Sequence, residues 1–168
     1  MSLFDQFRDV AERLRGGSIA EQSWIDIDGA SDTGRLLRAI ETIMPRDSRL
    51  NVMKPNAAAD SVLRKLALKE SRPDDGDFLI SMENGGVEEL AELADALAPS
   101  QLCAGVFVVQ GDRNLLESYR RDAGEDVVWL NADLDEKIIA SFRQALNAAG
   151  SYVEPRSAGE RPVLSRVA

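Results

Sequence analysis

Short apolar runs take turns with longer stretches whose apolar residues recur every three or four positions, and this alternation repeats five times along the chain. Residues 23–27, 50–53, 78–82, 105–109 and 127–130 have the length and the β-branched, apolar content of strands. Residues 32–44, 60–69, 87–98, 114–122 and 134–149 have the period of amphipathic helices. The runs GVFVV and DVVWL are apolar on consecutive positions, as in strands covered on both faces. The stretch WIDID instead alternates, with Ile25 and Ile27 on one side and Trp24, Asp26 and Asp28 on the other, so it predicts a half-exposed strand.

Turn chemistry agrees with these boundaries. Pro45, Pro55, Pro73 and Pro99 fall between elements, and Asp133-Leu-Asp-Glu136 has the spacing of a capping box. Strands alternating with helices through short links predict βαβ units and an α/β fold. The expectation is one three-layer domain over residues 1–149, a mostly parallel five-stranded sheet with helices on both faces. The half-exposed first strand is where an antiparallel edge would sit. Phe4, Phe7, Ala11 and Leu14 predict an extra amphipathic helix over residues 2–15, stopped by Gly16-Gly17 and expected to pack on the domain. From Gly150 the chain is rich in Pro, Gly and Ser without periodicity, which reads as a disordered tail over 150–168.

Composition narrows the chemistry. With 168 residues, 44% apolar and 29% charged, the chain is that of a globular protein able to bury a core without disulfides. Its net charge of -9, with Arg and Lys interspersed among the acids, leaves no basic stripe for nucleic acid and favours encounter with a basic protein partner. The N-terminus lacks the apolar core of a secretory signal, and no apolar run approaches the roughly 20 residues of a membrane span. A cytoplasmic protein with no membrane contact is therefore expected. Histidine is absent, which excludes imidazole-dependent triads and imidazole-ligated metals. Cys103 is the one cysteine, so intramolecular disulfides and thiolate zinc cages are excluded as well. It opens an apolar strand, where a buried, inert thiol is expected.

A parallel sheet would deliver its carboxyl strand ends to one rim, the usual ligand site of open α/β sheets. That rim would carry Asp26, Asp28 and Gly29, then Lys54 and Asn56, then Glu83 to Gly86, then Gly111, Asp112 and Arg113, and finally Asn131 and Asp133. Residues 23–37, SWIDIDGASDTGRLL, hold its densest chemistry. Gly29 and Gly34 have the spacing of a phosphate loop, but Arg35 and Leu36 stand where its Lys and Ser/Thr would be. Glu83-Asn-Gly-Gly86 precedes a helix with exposed N–H groups, yet Glu83, Glu88 and Glu89 would repel an anion, so it reads as a helix start.

WIDIDG resembles the first motif of the haloacid-dehalogenase-like phosphohydrolases, an Asp-x-Asp at a strand end. The resemblance implies Asp26 as nucleophile, Asp28 as acid/base and Asp112 as a third Mg²⁺ ligand, with Lys54 as the cation. It covers a handful of residues. Lys54 precedes Ser81 where the family has the reverse order, and no second aspartate follows Asp112 closely. A structural reading uses every residue instead: Asp26 and Asp28 end a half-buried strand, Gly29 turns, and Ser31 or Asp32 caps the helix bearing Leu36, Leu37, Ile40 and Ile43. Trp24, Trp129 and Tyr119 are expected to pack.

Two functions follow from this reading. The first is a non-catalytic binding or regulatory protein of the bacterial-cytoplasm type, meeting a protein partner through its acidic surface or N-terminal helix. The alternative is a Mg²⁺-dependent phosphoryl-transfer or phosphohydrolase-like enzyme with Asp26, Asp28, Lys54 and Asp112 as catalytic residues and Asp26, Asp28 and Asp112 as metal ligands.

Overall fold

The computed structural model describes residues 24–27, 32–83, 85–95, 97–120, 126–147 and, as backbone, 153–155. The expected N-terminal helix lies outside the described residues. Seven strands are present: β1 Trp24–Ile27, β2 Arg49–Met53, β3 Asp77–Ser81, β4 Gly105–Gln110, β5 Arg113–Arg120, β6 Asp126–Asn131 and β7 Val153–Pro155. The helices are α1 Thr33–Ile43, α2 Ala57–Leu66, α3 Val87–Leu93, α4 Pro99–Leu102 and α5 Glu136–Asn147, with a 3₁₀ turn at Pro73–Asp75. The strands form one sheet in the order β3-β2-β4-β5-β6-β1-β7, and every neighbouring pair is antiparallel.

This corrects the mostly parallel five-stranded sheet, and the reason sits at residues 110–120. Gln110 pairs with Arg113 across a two-residue loop, Gly111-Asp112. Gly111 takes φ 58, the left-handed first position that a tight hairpin turn requires and glycine supplies without strain. The chain therefore doubles back as β5, where the sequence predicts a helix over 114–122. Leu115, Leu116 and Glu117 are good helix formers, which is what the periodicity registers. Pairing with β4 and β6 buries both sides of β5, and that burial overrides local preference. A register shift at Val108/Val109 accommodates the extra residue.

The other pairings follow from crossovers. β1 and β2 point the same way, but α1 carries the chain past β4, β5 and β6 before β2 begins. Each slot between like-directed strands is filled by one running the opposite way. Val153–Pro155, inside the stretch expected to be a disordered tail, pairs with β1 as an edge strand; the remainder of that stretch lies outside the described residues.

The layers also differ from expectation. Leu50, Val52, Phe78, Ile80, Val106, Val108, Leu116, Val128 and Leu130 meet residues of all five helices in one core, among them Leu37, Leu63, Leu90, Leu102 and Phe142. Burying each such side chain contributes about 1.5–3 kcal/mol. Strand residues of opposite parity, Trp24, Met53, Leu79, Phe107, Val109, Tyr119 and Trp129, are buried but outside that cluster. The described helices thus cover one face of the sheet rather than both.

Local chemistry fixes the helices. Asp32 caps α1 by accepting from Arg35 N at 3.1 Å, and Asn56 caps α2 by accepting from Ala59 N at 2.9 Å. At α5, Asp135 accepts from Lys137 N at 2.8 Å, two residues beyond the Asp133 of the expected capping box. The first turn of α1 abuts the end of α3: Thr33 N donates to Leu97 O at 2.9 Å and Gly34 N to Ala94 O at 3.2 Å. Unpaired donors of one helix start are matched there with carbonyls past another helix end. Gly34 permits the approach, since a Cβ at this position would lie 2.8 Å from Ala91 O and run into the Asp95 carboxylate. Among the described residues no helix is long and apolar enough to cross a membrane.

Two substitutions test this packing by urea denaturation. Alanine is ordinarily favoured over glycine in a helix by about 1 kcal/mol, yet Gly34→Ala should lower stability by about 1–3 kcal/mol because α1 and α3 must separate. Phe142→Ala should cost about 3–5 kcal/mol through the cavity left in the shared core. Unchanged midpoints in both variants would contradict the helix arrangement.

Candidate functional site

Antiparallel pairing decides where the expected site residues fall. The carboxyl ends of β1, β2 and β5 lie at one end of the sheet, and those of β3, β4 and β6 at the other. Lys54 follows Met53, which is paired with Gly105 at the start of β4, whereas Asp112 follows the end of β4. Six strand residues at about 3.3 Å each put Lys54 and Asp112 roughly 20 Å apart. Asp26 lies in the middle of β1, in register between Trp129 and Glu154. Four strand spacings of about 4.8 Å separate it from β2, again roughly 19 Å. Asp28 lies outside the described residues. The common rim that would have gathered Asp26, Lys54 and Asp112 is absent, and among the described residues no three Asp, Glu or Cys groups converge as a metal site.

Three further features have structural explanations. Lys54 takes a left-handed φ of 46, which an L-residue adopts at a cost of about 1–2 kcal/mol. The Pro73–Gly76 turn holds it there: Lys54 N donates to Gly76 O at 2.6 Å. A shallow groove of about 360 Å³ beside α1 is lined by Asp32, Arg35, Arg38 and Thr42. Its cations are engaged, Arg35 Nη1 with Leu146 O at 3.1 Å and Arg38 with Glu88 and Asp95. Cys103 is buried, and that burial pushes its thiol up to about 12.

What the fold does bring together lies on two surfaces. The first is the sheet face opposite the helices. Leu79, Asn51, Phe107, Glu117, Trp129 and Asp26 stand in one row across six strands, because each is the register partner of the next. Tyr119 stacks on Phe107 with ring centres 6.4 Å apart and meets Trp129 edge-on at 6.4 Å. Polar groups are threaded between the rings. Asn51 Nδ2 donates to Asp77 Oδ1 at 2.7 Å and to Phe78 O at 3.1 Å. Asn114 Nδ2 donates to Glu117 Oε1 at 2.6 Å, and Asn131 Nδ2 to Asn114 O at 2.9 Å. Glu117 is 4% exposed, a position where a carboxylate is tolerated only with donors around it.

The second surface is the outer side of α3. Glu88, Glu89 and Glu92 are exposed along it, with Glu83 before it and Asp95 after it. Leu93, 40% exposed, stands among them as the exposed large hydrophobic of the described residues. Arg38 on α1 grips the inner edge of this ridge, with Nε 3.0 Å from Glu88 Oε1 and Nη1 2.6 Å from Asp95 Oδ1. The guanidinium holds the Asp95 carboxyl below the usual carboxylate range, and the two carboxylates raise Arg38 in turn.

Sequence reading passed over both surfaces. Asn51 interrupts an apolar strand, a signal for a buried polar partner, while Glu117 and Tyr119 were hidden by the helical period of their segment. The pattern EELAEL does announce an acidic helix side, and Leu93 breaks it.

Two measurements check these environments. Lys54→Gly should raise stability by about 0.5–1 kcal/mol in denaturant melts, the left-handed strain outweighing glycine's added chain entropy. Cys103 should resist iodoacetamide in the native protein at pH 8, because its raised value postpones thiolate formation toward pH 12, and should react once urea restores an ordinary value near ~8.5. Rapid native labelling would contradict the burial. No protein-family model, curated protein or solved structure matches the chain.

Proposed function

We propose that the chain is a non-catalytic binding or regulatory protein of the bacterial cytoplasm, and that it meets a basic protein partner through the outer side of α3. The observation that carries this reading is Leu93, exposed between Glu89, Glu92 and Asp95 on a helix whose inner side is fixed to α1. An apolar anchor rimmed by charges of one sign is the arrangement of a protein contact: the anchor supplies affinity when water is driven from it, and the rim supplies orientation.

Magnitudes divide the labour between them. Exposed ion pairs contribute about 0–1 kcal/mol each, so Glu88, Glu89 and Glu92 act chiefly by accelerating encounter with a cationic surface. The overall charge of -9 adds to the same field. Salt should therefore slow association more than it speeds dissociation. The Arg38 clasp keeps the ridge in one geometry before the partner arrives, which lowers the ordering cost of binding.

Affinity purification of the tagged full chain from its native host is the test, with variants run in parallel. A basic protein should be retained at low ionic strength and released as salt rises. Glu89→Lys with Glu92→Lys should abolish its retention, and Leu93→Ala should weaken it roughly tenfold, equivalent to about 1.4 kcal/mol. Retention indifferent to all three substitutions, or no retained protein at low salt, would refute the proposal.

A further inference from the structure

The sheet order puts β3 at one edge, with Phe78 and Ile80 in register with Val52 and Leu50 of β2. In an antiparallel strand alternate residues turn their N–H and C=O to one side and then to the other. Asp77 and Leu79 turn outward, and both are already paired. Asp77 N donates to Arg72 O at 3.0 Å and Arg72 N to Asp77 O at 2.7 Å, an isolated antiparallel bridge. At Leu79 a side chain stands where the next strand residue would be. Leu79 N donates to Ser71 Oγ at 2.8 Å, and the same hydroxyl donates to Leu79 O at 3.0 Å. That carbonyl also accepts from Leu68 N at 2.8 Å. The local chain shows why a hydroxyl is needed: Ser71 N donates back to Leu68 O at 3.0 Å, so the backbone N–H is used within a turn. A hydroxyl is donor and acceptor at once, and one group thus serves both the N–H and the C=O of Leu79. Pro73, which has no N–H, then starts the 3₁₀ turn that leads the chain into β3.

We propose that residues 68–72 are a removable plug, secured by the Ser71 hydroxyl, that keeps β3 from pairing with the β3 of a second copy of this chain. An uncovered edge strand is a template for another chain, and Phe78-Leu79-Ile80 has the apolar, β-prone content that pairs readily. Exposed Lys69, Glu70 and Arg72 on the plug are charges that a further strand would have to desolvate. Without the hydroxyl, Leu79 N has lost its acceptor and Leu79 O keeps only Leu68 N. Two β3 strands related by a two-fold axis at Leu79 set each Leu79 opposite its counterpart, and Asp77 of one copy opposite Ser81 of the other. The two Leu79 residues then exchange both of the bonds that Ser71 supplies in the single chain. Such a contact is closed, so the opened edge yields a dimer rather than a fibre.

Sedimentation velocity and amide hydrogen exchange of the full chain test this. Ser71→Ala should form a dimer whose fraction grows with concentration, while the native chain and Ser71→Thr, which keeps the hydroxyl, hold the size they have when dilute. In dilute Ser71→Ala the Leu79 amide should exchange several-fold faster than in the native chain, with Phe78 and Ile80 unchanged, and its protection should return as the dimer forms. Sedimentation and Leu79 exchange that match the native chain overturn the proposal. So do faster exchange without association, association that leaves Leu79 unprotected, and association that Ser71→Thr shares. Should Ser71→Ala fail to fold, native-state exchange of the unaltered chain in mild urea decides the matter. The amides of Leu68, Arg72, Asp77 and Leu79 should open together, at lower urea than those of Phe78 and Ile80. Opening of all six in one step, or in any other order, refutes a removable plug.

Discussion

The reversal at Gly111-Asp112 is the constraint on which the remaining architecture depends. A left-handed glycine at the first loop position turns β4 directly into β5, and a two-residue link leaves room for no helix between them. Once these strands are antiparallel at the centre of the sheet, β2 and β6 pair on either side in the same sense, and the pattern extends outward to β3 and β1. Strand ends are thereby shared between the two ends of the sheet. Polar loop residues that a parallel sheet would have collected are dispersed, which is why Lys54 and Asp112 cannot act on one substrate atom.

The same pairing makes the two faces unlike. Crossovers between like-directed strands place α1, α3 and α5 over one face, where aliphatic residues of the sheet and helices form a continuous core. The other face carries the larger aromatics and the buried amides and acids, Asn51, Asp77, Asn114, Glu117 and Asn131. An aliphatic face is satisfied by any helix of suitable volume. A face that buries carboxylate and carboxamide groups demands donors at fixed places, because each unmet polar group costs about 1–3 kcal/mol. The asymmetry thus separates an aliphatic face packed against the helices from a face whose buried amides and acids bond one another along the sheet. The ridge of α3 belongs to neither; it is anchored through Arg38 and presents its acids and Leu93 outward.

Much of this was legible in the chain, for reasons that can be named. The five expected strands occur at their expected places because short apolar runs bounded by Pro, Gly and Asp have few other uses. The helices at 33–43 and 136–147 carry stripes long enough to be unambiguous. The segment 113–120 was not legible, since Leu-Leu-Glu-Ser-Tyr-Arg suits either structure until its neighbours are known. That one segment then inverted the topology, because strand direction is a property of pairs and leaves no trace in the periodicity of either member. The convergence of Asp26, Lys54 and Asp112 depended on direction, and antiparallel pairing holds these three apart. The acidic side of α3 rests instead on a local pattern, EELAEL, that does not depend on strand direction.

The most direct test is nuclear Overhauser spectroscopy of residues 105–120. Antiparallel pairing of β4 with β5 should bring Hα protons into close contact across the strands, at Val106 with Ser118 and Val108 with Leu116, or else at Gly105 with Tyr119 and Phe107 with Glu117, according to which set is not hydrogen-bonded. Their presence, together with strong sequential Hα-to-amide contacts through Leu115 to Tyr119, is the expected result. Contacts from Hα of one residue to the amide three positions on across 114–120, with none between the two strands, would restore a helix there and dismantle the two-faced sheet.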